Sequence, residues 1–229
     1  MEKRMGRKRI TKIILILVMT VLLVFICVGC GAGHSTESGE TSGSGRNEIF
    51  KAVLLGKSPF VYCSDGNAEN MVITDVPALF DVDDPLMKIF EFSVVDMNGD
   101  GEDEVVLFAA GTAGDMGGKV ILHQIGDEVY GYITDNRILM DLKMDGTYGY
   151  SDPTGVAEAG IATVVGFSEA GYTTDKITYA TGTYEGWKAF VADHQPVTEE
   201  EYLNAISRQD QKQNAEWYEF SNENINNMF

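Results

Sequence analysis

Nine consecutive positions, Asp96-Met97-Asn98-Gly99-Asp100-Gly101-Glu102-Asp103-Glu104, carry the clearest chemistry in the chain. Oxygen-bearing side chains at the first, third and fifth places of a tight loop can converge on one hard cation. Glycine at the sixth place allows the sharp bend that turns a backbone carbonyl inward. Asp96, Asn98 and Asp100 are therefore the expected side-chain ligands, Glu102 a ligand through its carbonyl, and Glu104 the residue that closes the shell. An all-oxygen donor set suits Ca2+, which takes about six to eight oxygens at roughly 2.3–2.6 Å. The expected role is structural. Without a metal the same residues read as an acidic, glycine-rich hairpin turn in water.

The flanks decide between calcium-loop types. A helix-loop-helix site needs a bidentate glutamate at its twelfth position, which here is Leu107, and helices on both sides. FEFSVV before the loop and EVVLFAA after it read as strands. The loop instead resembles the calcium loops of FG-GAP or VCBS-type repeats, in which D-x-[DN]-x-D-G-x-x-[DE] bridges two strands. That resemblance covers about nine residues of 229 and implies the ligand roles already given. More broadly, the layout resembles a group of uncharacterised Gram-positive cell-surface lipoproteins: a signal, a Ser/Gly tether, an opening helix, VVDMNGDGEDEVVLF, a VYGY…LKMDGTYGYS stretch and a closing TEEEY…EWYEF segment. It implies location and architecture, and no established activity.

Other chemistry is sparse. His123 and His194 lie far apart with no Cys or His at zinc-ligand spacing. Cys63 has no base beside it in sequence and reads as a structural thiol. The run 111–118, GTAGDMGG, is glycine-rich but lacks the lysine of a phosphate cradle and reads as a long hairpin loop. Tyr130, Tyr132, Tyr148 and Tyr150 alternate on strand patterns, which favours packing over a sugar platform. Carboxylates are plentiful, so the alternative to a non-catalytic module is an extracytoplasmic, glycan-directed hydrolase using a carboxylate pair that spacing alone does not identify.

The elements that must position the loop follow from patterning. Charge is lopsided: residues 1–29 hold six of the seventeen basic residues and one of the thirty-five acids, so the remainder carries −23 of a chain total of −18. Such a surface excludes nucleic acid as a partner. A basic head, an apolar run over 13–28 and small residues at 29–31 form an export signal or an uncleaved anchor. Cys27-Val28-Gly29-Cys30 resembles a bacterial lipobox, with Gly29 and Cys30 fitting it and Cys27 departing from it. The resemblance implies a diacylglyceryl thioether on Cys30, and two acyl chains suffice for stable anchoring. Residues 30–45 then form a tether, eleven of the fifteen positions 31–45 being Gly, Ser or Thr. The expected location is the outer face of the cell membrane, with a wall polymer or another surface protein as the partner that location offers.

Within 46–220 a helix is expected over 48–55, then a strand from Lys88 onward, where Phe90, Phe92 and Val94 alternate with Glu91 and Ser93, and further strands over 104–109, 119–125, 128–134, 138–144, 147–150, 161–168, 172–181 and 187–192. Thr198 and Glu201 form a capping box that opens a helix running to 210. Turn signals such as Gly126-Asp127, Asp145-Gly146 and Ala170-Gly171 leave no room for crossover helices. The expected fold is α+β and mainly β, an antiparallel meander flanked by an N-terminal and a C-terminal helix. Residues 221–229, polar and Asn-rich, are expected as a loose tail.

Overall fold

The computed structural model describes residues 41–64, 67–80, 83–111, 117–152, 157–183 and 186–229. The segment expected as an export signal, Cys30 and residues 31–40 of the expected tether lie outside the described residues. Helix α1 (Thr41–Leu54) begins within the stretch expected as tether and buries Phe50, Val53 and Leu54, three positions of its apolar stripe. Strands β1 (Phe60–Ser64) and β2 (Asn67–Met71) and a 3-10 helix (Ile73–Leu79) follow. The meander is β3 (Lys88–Val95), β4 (Glu104–Ala110), β5 (Gly118–Ile125) and β6 (Glu128–Asp135).

These six strands and the short β12 (Tyr218–Glu219) form a seven-stranded sheet of order β12-β3-β4-β5-β6-β1-β2. Every neighbouring pair is antiparallel except β1 against β6. A second sheet of five strands, order β11-β10-β9-β8-β7, is built from β7 (Tyr148–Ser151), β8 (Ala157–Ser168), β9 (Gly171–Thr183), β10 (Gly186–Ala192) and β11 (Gln195–Pro196). The fold is mainly β with flanking helices, and its strands divide between two layers.

That layering explains the sequence of the central strands. Val105 and Leu107 of β4 and Val120 and Leu122 of β5 pack with Phe50, Phe60, Phe92 and Ile225 beneath the helices. Their alternates, Val106 and Ile121, pack with Tyr132, Tyr148, Ala162 and Val164 between the sheets. A strand covered on both faces must be apolar at every position, which is why EVVLFAA and KVIL show no alternation. Each such side chain contributes about 1.5–3 kcal/mol on burial.

Helix α2 (Glu199–Asp210) opens with the expected capping box: Thr198 Oγ1 accepts the Glu201 N–H, and the Glu201 carboxylate accepts the Thr198 N–H at 2.9 Å. The helix packs on β8, β9 and β10, the Tyr202 ring lying 5.3 Å from that of Phe190.

Two segments depart from the sequence reading. Residues 138–144 form no strand, because Leu139 and Asp141 take left-handed backbone (φ 55° and 48°) and leave two isolated bridges, Met140 to Gly149 and Lys143 to Asn214. Residues 221–229 are no loose tail: Ser221 caps a helix, α3 (Asn222–Met228), by accepting the Asn224 N–H. Ile225 is buried there, and Phe229 stacks on Phe92 at 6.3 Å. Two apolar anchors thus pin a helix whose other residues are mostly polar.

Candidate metal centre

The register between β3 and β4 ends at Val95 opposite Glu104, so residues 96–103 are the connection the motif must occupy. Its own side chains fold it. Asp96 Oδ1 accepts the Gly99 N–H at 2.7 Å and Oδ2 accepts the Gly101 N–H at 2.9 Å. Asn98 Oδ1 accepts the Asp100 N–H at 3.2 Å, and Asp100 Oδ1 accepts the Glu102 N–H at 2.8 Å. Asn98 Nδ2 donates to Asp100 Oδ2 at 2.8 Å, tying the two side chains together. Gly99 and Gly101 supply positive φ values of 76° and 87°, at which a side chain would be strained. Asp96, Asn98 and Asp100 are thereby gathered on one exposed loop, and Glu102 lies beside them at its rim.

Glu104 is turned the other way. Its carboxylate is buried: Oε2 accepts the Met97 N–H at 2.9 Å, and Oε1 lies 2.8 Å from His123 Nδ1 on β5. Burial pushes its carboxyl above the usual range, against the lowering effect of the His123 and Met97 hydrogen bonds. The imidazole stacks on Phe167 of the second sheet, with ring centres 4.2 Å apart and planes within 14°. Glu104 therefore braces the loop from below rather than lying among the exposed oxygens. Sequence reasoning missed this partnership, although Glu104 stands two residues from Val106 and His123 two from Ile121, on the face between the sheets.

Two further residues clamp the loop. Met97 is 1% exposed, its side chain in the core between the sheets, and its carbonyl accepts Thr163 Oγ1 at 3.4 Å. Gly146 brings its backbone so close that a Cβ there would lie 2.7 Å from the Asp96 and Met97 carbonyl oxygens.

The donor set fits a hard cation. Each carboxylate or amide oxygen that accepts one N–H keeps a further lone pair for a metal, and no nitrogen or sulfur ligand competes on the loop. Among the described residues no three Asp, Glu, His or Cys side chains gather as a metal cluster. A calcium ion here would draw on the Asn98 amide and the Glu102 carbonyl as well as on Asp96 and Asp100.

Cys63 donates to the Glu169 carbonyl at 2.9 Å, and burial pushes its thiol up, away from the reactive thiolate. Tyr130, Tyr132, Tyr148 and Tyr150 are all buried. His194 is exposed, 3.3 Å from Asp175. Among the described residues no helix is long and apolar enough to cross a membrane, and the apolar run 13–28 lies outside them. Comparison with protein-family models, with curated proteins and with solved structures gave no match to the chain.

Proposed function

We propose that the chain is a non-catalytic, extracytoplasmic lipoprotein module, tethered to the outer face of the membrane through Cys30, whose β3–β4 loop is a structural calcium site. The observation that carries the calcium reading is the ring of hydrogen bonds by which Asp96, Asn98 and Asp100 fold the loop around their own oxygens. Such a loop is preorganised, so an ion is held at little further cost in chain entropy. The non-catalytic reading is supported by the burial of the Glu104–His123 pair beneath Phe167, which leaves the carboxylate no exposure to solvent. Millimolar extracellular calcium would fill even a weak site, and the ion would stabilise the fold rather than signal.

Melting of the full chain in detergent tests this. Millimolar calcium should raise the midpoint by about 1–6 °C over excess chelator, as calcium at roughly one to ten times Kd predicts for a domain of this size. Asp100→Ala should abolish most of that shift and Asp127→Ala should leave it intact. Equal midpoints with and without calcium in the unsubstituted chain would rule out the site. The anchor is tested separately: a fatty-acid probe should label the chain in cells, and Cys30→Ser should remove the label.

A further inference from the structure

The seven-stranded sheet carries, on its face toward the second sheet, a row of three unlike side chains that the core does not use. Glu91 of β3 pairs in register with Phe108 of β4, and Phe108 with Lys119 of β5. Acid, aromatic ring and base thus stand side by side across three strands. Trp217, just before β12, extends the row. Residues 139–142 and 214–215 bound the space above it, leaving a cavity of about 320 Å³. That is the lower end of the range for small-ligand pockets.

The wall opposite the row is built around a buried cation. Lys143 is 1% exposed and its ammonium donates to Asn214 Oδ1 and to Asp141 Oδ2, both at 2.7 Å. Engaging the Asn214 oxygen leaves the amide NH2 as the free end, and engaging Asp141 Oδ2 leaves Oδ1 as an acceptor. Leu139 and Asp141 hold left-handed backbone in this wall, a conformation rare for leucine and concentrated at functional sites. Glu91 faces Glu219 across β12, a like-charge neighbour that stability alone disfavours. Among the described residues no hydrogen bond engages the carboxylate of this exposed Glu91 or the Trp217 indole N–H. Lys119 donates one hydrogen to the Ile138 carbonyl at 3.3 Å and lies 5.5 Å over the Phe108 ring, and burial lowers its pKa.

We infer that this cavity binds the ring of a neutral saccharide. The lining offers acceptors (Glu91, Asp141) and donors (Lys119, Asn214, Trp217) together, beside two aromatic side chains. A pyranose matches that mixture: each hydroxyl both donates and accepts, and the ring's C–H face packs on an aromatic plane. An anionic ligand would meet two carboxylates and the field of an acidic protein. A cation would meet Lys119, and a purely apolar ligand would strand the polar groups. The inference adds a ligand class to the tethered module and does not depend on the calcium site.

Tryptophan fluorescence of the full chain tests it, in a detergent without a sugar headgroup. Trp187→Phe leaves Trp217 as the sole reporter, since the chain has two tryptophans. Cellotriose, maltotriose and chitotriose are titrated in calcium and in chelator, with benzoate as an anionic ring. At least one trisaccharide should give a saturable change in both conditions. Glu91→Gln should weaken it about tenfold, the effect of losing one charge-assisted hydrogen bond. Calorimetric titration of Lys119→Met, with its fold checked by circular dichroism, should show a loss of similar size. No saturable response to any of the three sugars, binding unchanged by Glu91→Gln, or a response to benzoate alone would overturn the inference. Binding that survives in chelator while the calcium-dependent melt fails would leave this site standing and remove only the metal.

Discussion

Glu104→Leu should destabilise the fold by about 3–5 kcal/mol, measured by urea unfolding of the full chain, because it breaks a buried pair and leaves one partner stranded. Both carboxylate oxygens are engaged: one takes the Met97 N–H at 2.9 Å, the other meets His123 Nδ1 at 2.8 Å, and Glu104 itself is 0% exposed. Leucine would deprive a buried amide and a buried imidazole of their partners at once. Glu104→Gln separates shape from charge. Its amide oxygen can accept from Met97 and its NH2 can donate to Nδ1, so the loss should stay within about 1 kcal/mol. Adding His123→Leu to Glu104→Leu should recover part of the loss, since an apolar pair replaces a buried polar one at small net cost. If leucine and glutamine prove equally mild, Glu104 is a bystander and the loop is held by other means.

How much of this was legible follows from which residues speak locally. The capping box at Thr198 and Glu201 is a short-range pattern, and the helix it opens starts and stops where the sequence places it. The strands β4 and β5 announce themselves by unbroken apolar runs, and the loop by its oxygen spacing. What stayed hidden is non-local or conformational. Strand β2, NAENM, is exposed along most of its length and has no apolar face to read. The parallel pairing of β1 with β6 joins residues nearly seventy positions apart. Residues 138–144 carry a strand-like alternation that two left-handed residues, one of them Leu139, overrule. Glu104 was readable only in part: its place in the motif suggested a ligand, whereas its register two residues before Val106 turns it between the sheets. In a nine-residue motif that borders a strand, the strand's pleat decides where the last side chain goes.

Gly146 gives the second large effect, and it links the loop to the rest of the core. Gly146→Ala should cost about 2–4 kcal/mol by urea unfolding, from left-handed strain of roughly 1–2 kcal/mol and from overpacking of a similar size. Gly146 has φ 75°, and its added Cβ would lie 2.7 Å from the Asp96 and Met97 carbonyl oxygens, which are backbone and cannot swing aside. Gly99→Ala is the matched comparison. Gly99 has φ 76° but nothing within 4 Å of the same added atom, so it should show the strain alone, about 1–2 kcal/mol. The excess at Gly146 measures how tightly the Asp145-Gly146 turn is seated against the loop. Displacing that turn also moves the Asp96 backbone, whose side chain folds the loop through Gly99 and Gly101. Any calcium-dependent rise in midpoint should therefore shrink in Gly146→Ala more than in a variant of equal stability altered elsewhere in the core, such as Val120→Ala. Equal losses at Gly146 and Gly99 would mean that the turn yields freely, and the loop's geometry would then be set by its own hydrogen bonds and by Met97 and Glu104 alone.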